Sequence, residues 1–356
     1  MAASRAGRIP RALTALVGLA LLAAGIVLLL RPASGFDVQG HRGARGMLPE
    51  NTIPAFTYAD DLGVTTLEMD TKVTKDGVLV VTHDSVLNPD LVRDASGAWV
   101  RDGIALNSLT LAQVEQLDVG RLRPGSAYAK RFPDQRPIDG TRMPTLREVL
   151  DTFRDRSAVR FNVETKIEPD HPGDSPDPAT FSRKLVDELR SAGVDQRTTI
   201  QSFDWRTLKE VQRIAPEIPT VALTEADTSL LEDGRWTAGL RLGDYGGSVP
   251  ALVAASGADI WSPDSEKLSA ESVRDAHDRG LSVVPWTVNE PKDIDAMRGL
   301  GVDGVISDYP KRVLDAAPRG VPSWIPGTLL AVGAIAVIAA GLPIWGVRRS
   351  PSAPPG

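Results

Sequence analysis

Two of the four histidines in this 356-residue chain stand in short segments crowded with arginine and carboxylate. Residues 40–52 read GHRGARGMLPENT and residues 68–84 read EMDTKVTKDGVLVVTHD, which together hold His41, Arg42, Glu50, Glu68, Asp70 and His83. Further along, VETK places Glu164 two residues before Lys166. Three carboxylates, Glu68, Asp70 and Glu164, would repel one another if brought together, and an all-oxygen set of that kind suits one hard divalent cation, Ca²⁺ or Mg²⁺. Such an ion also accepts a phosphate oxygen. Arg42 can pair with further phosphate oxygens and Lys166 can stand beside them as a point charge, offsetting the charge of a pentacovalent transition state. Reaction at phosphorus then needs a base for the nucleophile and an acid for the leaving alkoxide. Two imidazoles can be both near neutral pH, which makes His41 and His83 the candidates.

These groups can act together only if one face of a fold gathers them. Short apolar runs of strand type alternate with helical patterns. A first strand over 36–40 is followed by a helix over 53–62 that stops at Gly63, and strands over 66–73 and 78–82 flank a Lys75-Asp76-Gly77 turn. The rhythm is lost over about 85–142, which reads as a Gly-, Pro- and Asp-rich insertion with one helical piece near 110–117. Regular alternation then resumes, with strands at 159–164, 198–201, 220–223, 259–261, 282–287 and 304–306 and helices between them. About eight strands alternating with helices match an α/β fold, a (β/α)8 TIM barrel whose site lies at the C-terminal ends of its strands. An open doubly wound sheet fits less well, because no glycine-rich dinucleotide turn follows the first strand.

The barrel puts the candidates in one place. His41 and Arg42 follow the first strand, and the spacing of two in Glu68/Asp70 and Glu164/Lys166 sends each pair to one side of an extended strand. His83 follows the hairpin, Trp286 lies near the end of the seventh strand, and Ser307 and Asp308 follow the eighth. Taken singly, each has a plainer reading: a capping histidine, an exposed strand edge, a surface ion pair worth less than ~1 kcal/mol. Their coincidence at one barrel face favours a site. His171 and His277 lack such company and are expected to be solvated.

Composition narrows the partners. A formal charge of -6 and no basic block argue against nucleic acid, and the absence of cysteine excludes disulfides, thiolate nucleophiles and zinc-thiolate sites. Nothing in the sequence points to a protein partner. Residues 13–31 are almost wholly apolar and follow Arg5, Arg8 and Arg11, while the uncharged stretch 322–347 is bounded by Trp324 and Trp345 and closed by Arg348 and Arg349. Both are long enough to cross a bilayer. Positive-inside reasoning then leaves 1–12 and the tail 348–356 in the cytoplasm and the barrel, 36–318, outside the cell membrane. The first stretch is read as an uncleaved anchor rather than a signal peptide; were it cleaved, the second would still retain the protein.

GHRG, PENT, EMD, THD, VETK, QSF, PWTVN and DGVISDYP occur in this order, and the chain from about Phe36 to Ala317 resembles the glycerophosphodiester phosphodiesterase family. The resemblance implies a TIM barrel with an inserted subdomain that uses a divalent metal to hydrolyse glycerophosphodiesters to glycerol 3-phosphate and an alcohol. Residue by residue, it makes His41 and His83 the acid and base pair, and Glu68, Asp70 and Glu164 the metal ligands. Arg42 and Lys166 become the phosphate contacts, Glu50 a carboxylate at the mouth holding Arg42 or the metal shell, and Trp286 an aromatic against the glycerol. Water could attack directly, or the glycerol 2-hydroxyl could attack first and give a cyclic phosphate. Other readings are a phospholipase acting on (lyso)phospholipids, a hydrolase of a glycerophosphate wall polymer, and a non-catalytic binding barrel, the last disfavoured by the full set of histidines and carboxylates.

Overall fold

The computed structural model describes residues 35–316. Both stretches expected to span a membrane, 13–31 and 322–347, lie outside the described residues, as do the two tails beyond them. Among the described residues no helix is long and apolar enough to cross a membrane.

Eight parallel strands are arranged in the order β8-β7-β6-β5-β4-β2-β1-β9. They are β1 (Asp37–Gly40), β2 (Thr66–Val73), β4 (Arg160–Thr165), β5 (Thr198–Ser202), β6 (Thr220–Thr224), β7 (Ile260–Pro263), β8 (Ser282–Val283) and β9 (Gly304–Ser307). A further strand, β3 (Leu79–Val81), pairs antiparallel with the end of β2, as the Lys75-Asp76-Gly77 turn requires. The expected 282–287 strand is regular only over Ser282–Val283, since Pro285 has no N–H to give. The segment beyond it still joins its neighbours. Trp286 N–H donates to Pro263 at 3.0 Å, and Ile306 N–H to Pro285 and Val288 N–H to Ile306, both at 2.9 Å, which nearly closes the barrel between β8 and β9.

The helices that cover the barrel are α1 (Ile53–Leu62), α4 (Leu146–Thr152), α5 (Pro178–Ala192), α6 (Trp205–Ile214), α7 (Val249–Ser256), α8 (Ala270–Asp278), α9 (Pro291–Leu300) and α10 (Pro310–Asp315); α2 (Leu111–Val114) and α3 (Ala127–Arg131) belong to the insertion. Their ends follow from the sequence. Thr52 caps α1, proline opens α1, α5, α7, α9 and α10, and Gly63, Gly193, Gly257 and Gly301 take the left-handed conformation that ends α1, α5, α7 and α9. On α5, Phe181, Leu185, Val186 and Leu189 are buried in the same core as Leu67, Met69, Phe161, Val163 and Ile200 of the strands. Each such side chain contributes roughly 1.5–3 kcal/mol when fully buried.

The alternate strand residues turn inward, and here the barrel is unusually polar. Asn162 Nδ2 donates to Gln39 Oε1 at 2.9 Å and to Gln201 Oε1 at 2.8 Å, tying β1, β4 and β5 side chain to side chain. This satisfied layer forms a floor beneath the carboxylates. The insertion, read from sequence as a Gly-, Pro- and Asp-rich stretch, has an apolar centre of its own, in which Leu87, Val92, Val100, Leu106, Val114, Leu117 and Met143 pack with Val80 of β3.

Candidate active site

At the C-terminal mouth of the barrel is a cavity of about 420 Å³ lined by His41, Arg42, Glu68, Asp70, His83, Glu164, Lys166 and Trp286, among others. Eight of the nine residues singled out from sequence thus meet at one opening. Glu50, the ninth, stands behind it and holds Arg42, its Oε1 accepting from Nη1 at 2.6 Å.

The carboxylates converge through strand register. Asp70 of β2 is paired with Glu164 of β4, and Glu68 lies two residues back on the same face of β2. β2 runs to Val73, as expected from sequence, and its last residues pair with β3. One oxygen from each of Glu68, Asp70 and Glu164 lies within 4.8 Å of the others, and all three residues are buried. Three buried carboxylates at that spacing make an oxygen ligand set for a hard divalent ion.

Their electrostatics show the cost of leaving that charge uncompensated. Burial, then Asp70, pushes Glu68 well above the ordinary range. Burial likewise lifts Glu164 to about 7, with Asp70 adding to it against the pull of Lys166. Burial also opposes ionisation of Asp70, but Arg42, His83, Lys166 and an Asn51 hydrogen bond outweigh it and hold Asp70 well below the usual carboxylate range. Lys166 Nζ donates to Glu164 Oε1 at 3.0 Å, so the pair weighed as a surface salt bridge is part-buried in the mouth of the barrel.

The PENT segment does four jobs in four residues. Pro49 C=O accepts from the Thr52 hydroxyl at 2.6 Å, Glu50 holds Arg42, Asn51 Nδ2 donates to Asp70 Oδ2 at 2.9 Å, and Thr52 caps α1. Upstream, Arg42 adopts φ 51°, a strained value for a side-chain-bearing residue, and its own N–H donates to Glu68 Oε2 at 2.7 Å. Gly43, at φ 88°, leaves no room for a Cβ, which would lie 2.7 Å from the Ala55 carbonyl carbon. Arg42 Nε is buried 3.1 Å from Asp70 Oδ2 yet has no aligned acceptor among the described residues.

Each histidine is backed by a carboxylate. His41 Nδ1 lies 2.7 Å from Asp308 Oδ1, and Nε2 lies 3.9 Å from Glu68 Oε2. His83 Nδ1 lies 2.7 Å from Asp84 Oδ1. Burial first, then the Arg45 cation, lowers His41 to about 4 against the opposing pull of Asp308. Burial, Arg42 and Lys166 lower His83 as well. Asp308 stays ionised because Arg45 and His41 overcome its burial.

Several residues that the sequence reading left without a role complete this arrangement. Arg45 Nε donates to Asp308 Oδ1 at 2.8 Å, Asn289 Nδ2 to Asp308 Oδ2 at 2.8 Å, and Gln201 Nε2 to Glu68 Oε1 at 2.7 Å. The signal was present, since Asn289, Gln201 and Asp308 are members of the PWTVN, QSF and DGVISDYP motifs. The insertion also reaches the site: the Tyr128 hydroxyl donates to Glu50, Gln135 Nε2 donates to the Arg45 carbonyl at 2.7 Å, and the Arg45 guanidinium lies 4.7 Å from the Phe132 ring centroid. Trp286 stands edge-on to Phe203, ring centroids 5.5 Å apart. His171 is exposed as expected. His277, expected to have no partner, is exposed but lies 3.0 Å from Asp303 Oδ2, in the turn that leads into β9.

Comparison with known proteins gives a consistent result. The glycerophosphoryl diester phosphodiesterase family profile matches residues 41–312. A glycerophosphodiester phosphodiesterase of Bacillus subtilis (strain 168) is 31% identical over 286 residues, covering 76% of this chain and 82% of the relative. One from Caldanaerobacter subterraneus subsp. tengcongensis is 30% identical over 284 residues, covering 80% and 98%. Among solved structures, a protein of Silicibacter pomeroyi DSS-3 assigned as a glycerophosphoryl diester phosphodiesterase is 37% identical, with a TM-score of 0.71 over 79% of this chain and 92% of that one. An Oleispira antarctica phosphodiesterase, solved with its product sn-glycerol-3-phosphate, shares the fold at 21% identity, with a TM-score of 0.57 over 79% and 96%.

Proposed function

This chain belongs to the glycerophosphoryl diester phosphodiesterase family and is an enzyme of that kind, and on that premise we propose a metal-dependent mechanism with His41 and His83 as its acid and base, acting on small glycerophosphodiesters to give glycerol 3-phosphate and an alcohol. One observation carries the reading. Three buried carboxylates with ligand atoms within 4.8 Å of one another line the same cavity as two histidine–carboxylate pairs.

Glu68, Asp70 and Glu164 would hold one divalent cation, Ca²⁺ or Mg²⁺. When bound, that ion supplies positive charge to a phosphate oxygen. Arg42 is held from behind by Glu50 and presents its guanidinium charge to the phosphate, and Lys166 adds a cation beside Glu164. Asp308 and Asp84 each occupy Nδ1 of their histidine, which leaves Nε2 of both rings to exchange protons with substrate. Burial and nearby cations keep both imidazoles neutral near pH 7, so either can take the proton of the attacking hydroxyl. The negative phosphate favours protonation of the other, which delivers its proton to the leaving alkoxide. Trp286 and Phe203 offer an apolar wall for the glycerol carbons.

The same reading places the enzyme at a cell membrane with its barrel on the outer side, as a bacterial, membrane-anchored member. It is supported by the apolar stretches 13–31 and 322–347 with their flanking arginines.

Glycerol 3-phosphate release from a glycerophosphodiester by the full chain tests the mechanism, first in chelator and then with Ca²⁺ or Mg²⁺ restored. The expected result is release that stops in chelator and returns with the ion. An undiminished rate in chelator would remove the metal from the mechanism.

A further inference from the structure

The reaction releases an alcohol, and the mouth has two differently charged sides on which that alcohol could rest. On the insertion side the cavity is lined by Arg45 and the exposed Arg131. On the opposite side Glu225 follows directly on Thr224, the last residue of β6. Of the carboxylates that line the cavity, Glu68, Asp70 and Glu164 form the metal cluster and Asp84 backs His83, so Glu225 alone has no place in the reaction described above. Its side chain makes no hydrogen bond or ion pair among the described residues.

Glu225 also lines a second cavity, of about 530 Å³, between the ends of β6 and β7 and the starts of α7 and α8. Glu225 is therefore a wall common to both cavities. The floor of the second includes Trp261, Val249, Pro250, Pro263 and Leu268. Trp261 is fixed by a hydrogen bond of 2.9 Å from its Nε1 to Thr224 Oγ1. Charged lining residues are Glu225, Asp264, Glu271 and Asp275 against the single cation Lys267, so the field in the second cavity is negative. The starts of α7 and α8 would favour an anion, but Ser248 and Ser269 already cap them, accepting from the Ala251 and Ser272 N–H groups at 3.1 Å. Burial and Asp264 both raise Glu225 above its ordinary value, so an added positive charge beside it relieves repulsion.

Apolar and aromatic surface under a negative rim is the chemistry that accepts an alkylammonium group, which gains from both the carboxylate and the indole. Resting on the diesterase reading above, we propose that Glu225 is a specificity-determining residue, which favours diesters whose leaving alcohol carries a cationic ammonium group and directs that group toward the second cavity. Anionic leaving groups are repelled from this side.

The test compares two diesters that differ only in charge: glycerophosphocholine and its carbon isostere, the glycerophosphodiester of 3,3-dimethylbutanol. Both are assayed for glycerol 3-phosphate release by the full chain and by its Glu225→Gln variant. The wild type is expected to favour the choline diester by ~5- to 10-fold in kcat/KM, the range of a partly exposed carboxylate or cation–π contact, expressed mainly in KM. In Glu225→Gln the ratio should fall to near one, whatever the absolute rates. A wild-type ratio near one, a preference for the neutral isostere, or an unchanged ratio in Glu225→Gln would overturn the assignment while leaving the diesterase reading standing. Cleavage of neither diester by the wild type would overturn both.

Discussion

At the scale of single residues, the site is a set of charges that need one another. Glu164 is raised from an ordinary 4.5 to about 7, and Glu68 is raised as well, because burial and Asp70 disfavour a second and third negative charge. The sign of the consequence is fixed. An acid whose folded-state pKa is raised contributes stability that is present below its unfolded pKa and lost as pH rises through the folded value. Without metal, Glu164 thus destabilises the fold progressively between about pH 4.5 and 7. A divalent ion takes the place of the proton, so its stabilising effect should grow over the same window. Thermal unfolding with and without saturating Ca²⁺ or Mg²⁺ should show a larger rise in Tm at pH 8 than at pH 5.5, together with proton release on binding near pH 6.5. A metal-induced shift that is the same at both pH values would mean that these carboxylates are not the ligands. Residue types and spacing made His41, His83, Glu68, Asp70, Glu164, Arg42 and Lys166 legible as groups that meet at one mouth, since each is a chemistry-bearing group next to a strand end. Asn289 and Gln201 were marked only as motif members and Arg45 not at all, so what each does at the site was not legible. They act through another side chain, and which side chain they reach depends on loop paths that local sequence does not encode.

At the scale of elements, periodicity was enough wherever packing followed it. The expected limits of β2, α1, α6 and α9 match the structure, because the alternation or capping that defines them in sequence is the same physics that buries them. The expected strand over 282–287 was overextended, since the regular ladder stops short of Pro285, which has no N–H to give. The insertion was seen only as a loss of rhythm. Its core is built from residues scattered between Val80 and Met143, which show no period to detect, and its contact with the Arg45 loop through Phe132 and Gln135 is tertiary. The loop from β1 to α1 is tightly constrained, with positive φ at Arg42, Gly43 and Asn51. Gly43 has φ 88° and faces the Ala55 backbone, so Gly43→Ala should strain the turn that sets His41 and Arg42. The expected cost is about 1–3 kcal/mol of stability, with a ~10-fold or greater loss of kcat from misplaced groups. Thermal unfolding and steady-state rates on one sample would check it, and a variant with wild-type values for both would show that the turn tolerates a side chain.

At the scale of the whole molecule, parallel strand order, a polar inner layer and an insertion that leans over one side of the mouth make a barrel with its charges at one end. The chain's flanking apolar stretches bear on where that barrel works. If both cross a membrane with their arginines inside, protease added to intact cells should digest the barrel while an epitope fused after Gly356 survives. Loss of that epitope in intact cells, or recovery of the chain in the soluble fraction, would contradict the placement. The proposed mechanism rests most heavily on two histidines working beside three carboxylates that would hold a metal ion. It is tested most directly by measuring glycerophosphodiester turnover and divalent-ion affinity in parallel for the wild type, His41→Ala and His83→Ala. Each variant should lose at least ~10²-fold in kcat and keep its metal affinity. A variant that turns over near the wild-type rate would put its histidine outside the chemistry, and one that loses metal and activity together would make that histidine a ligand instead of an acid or base.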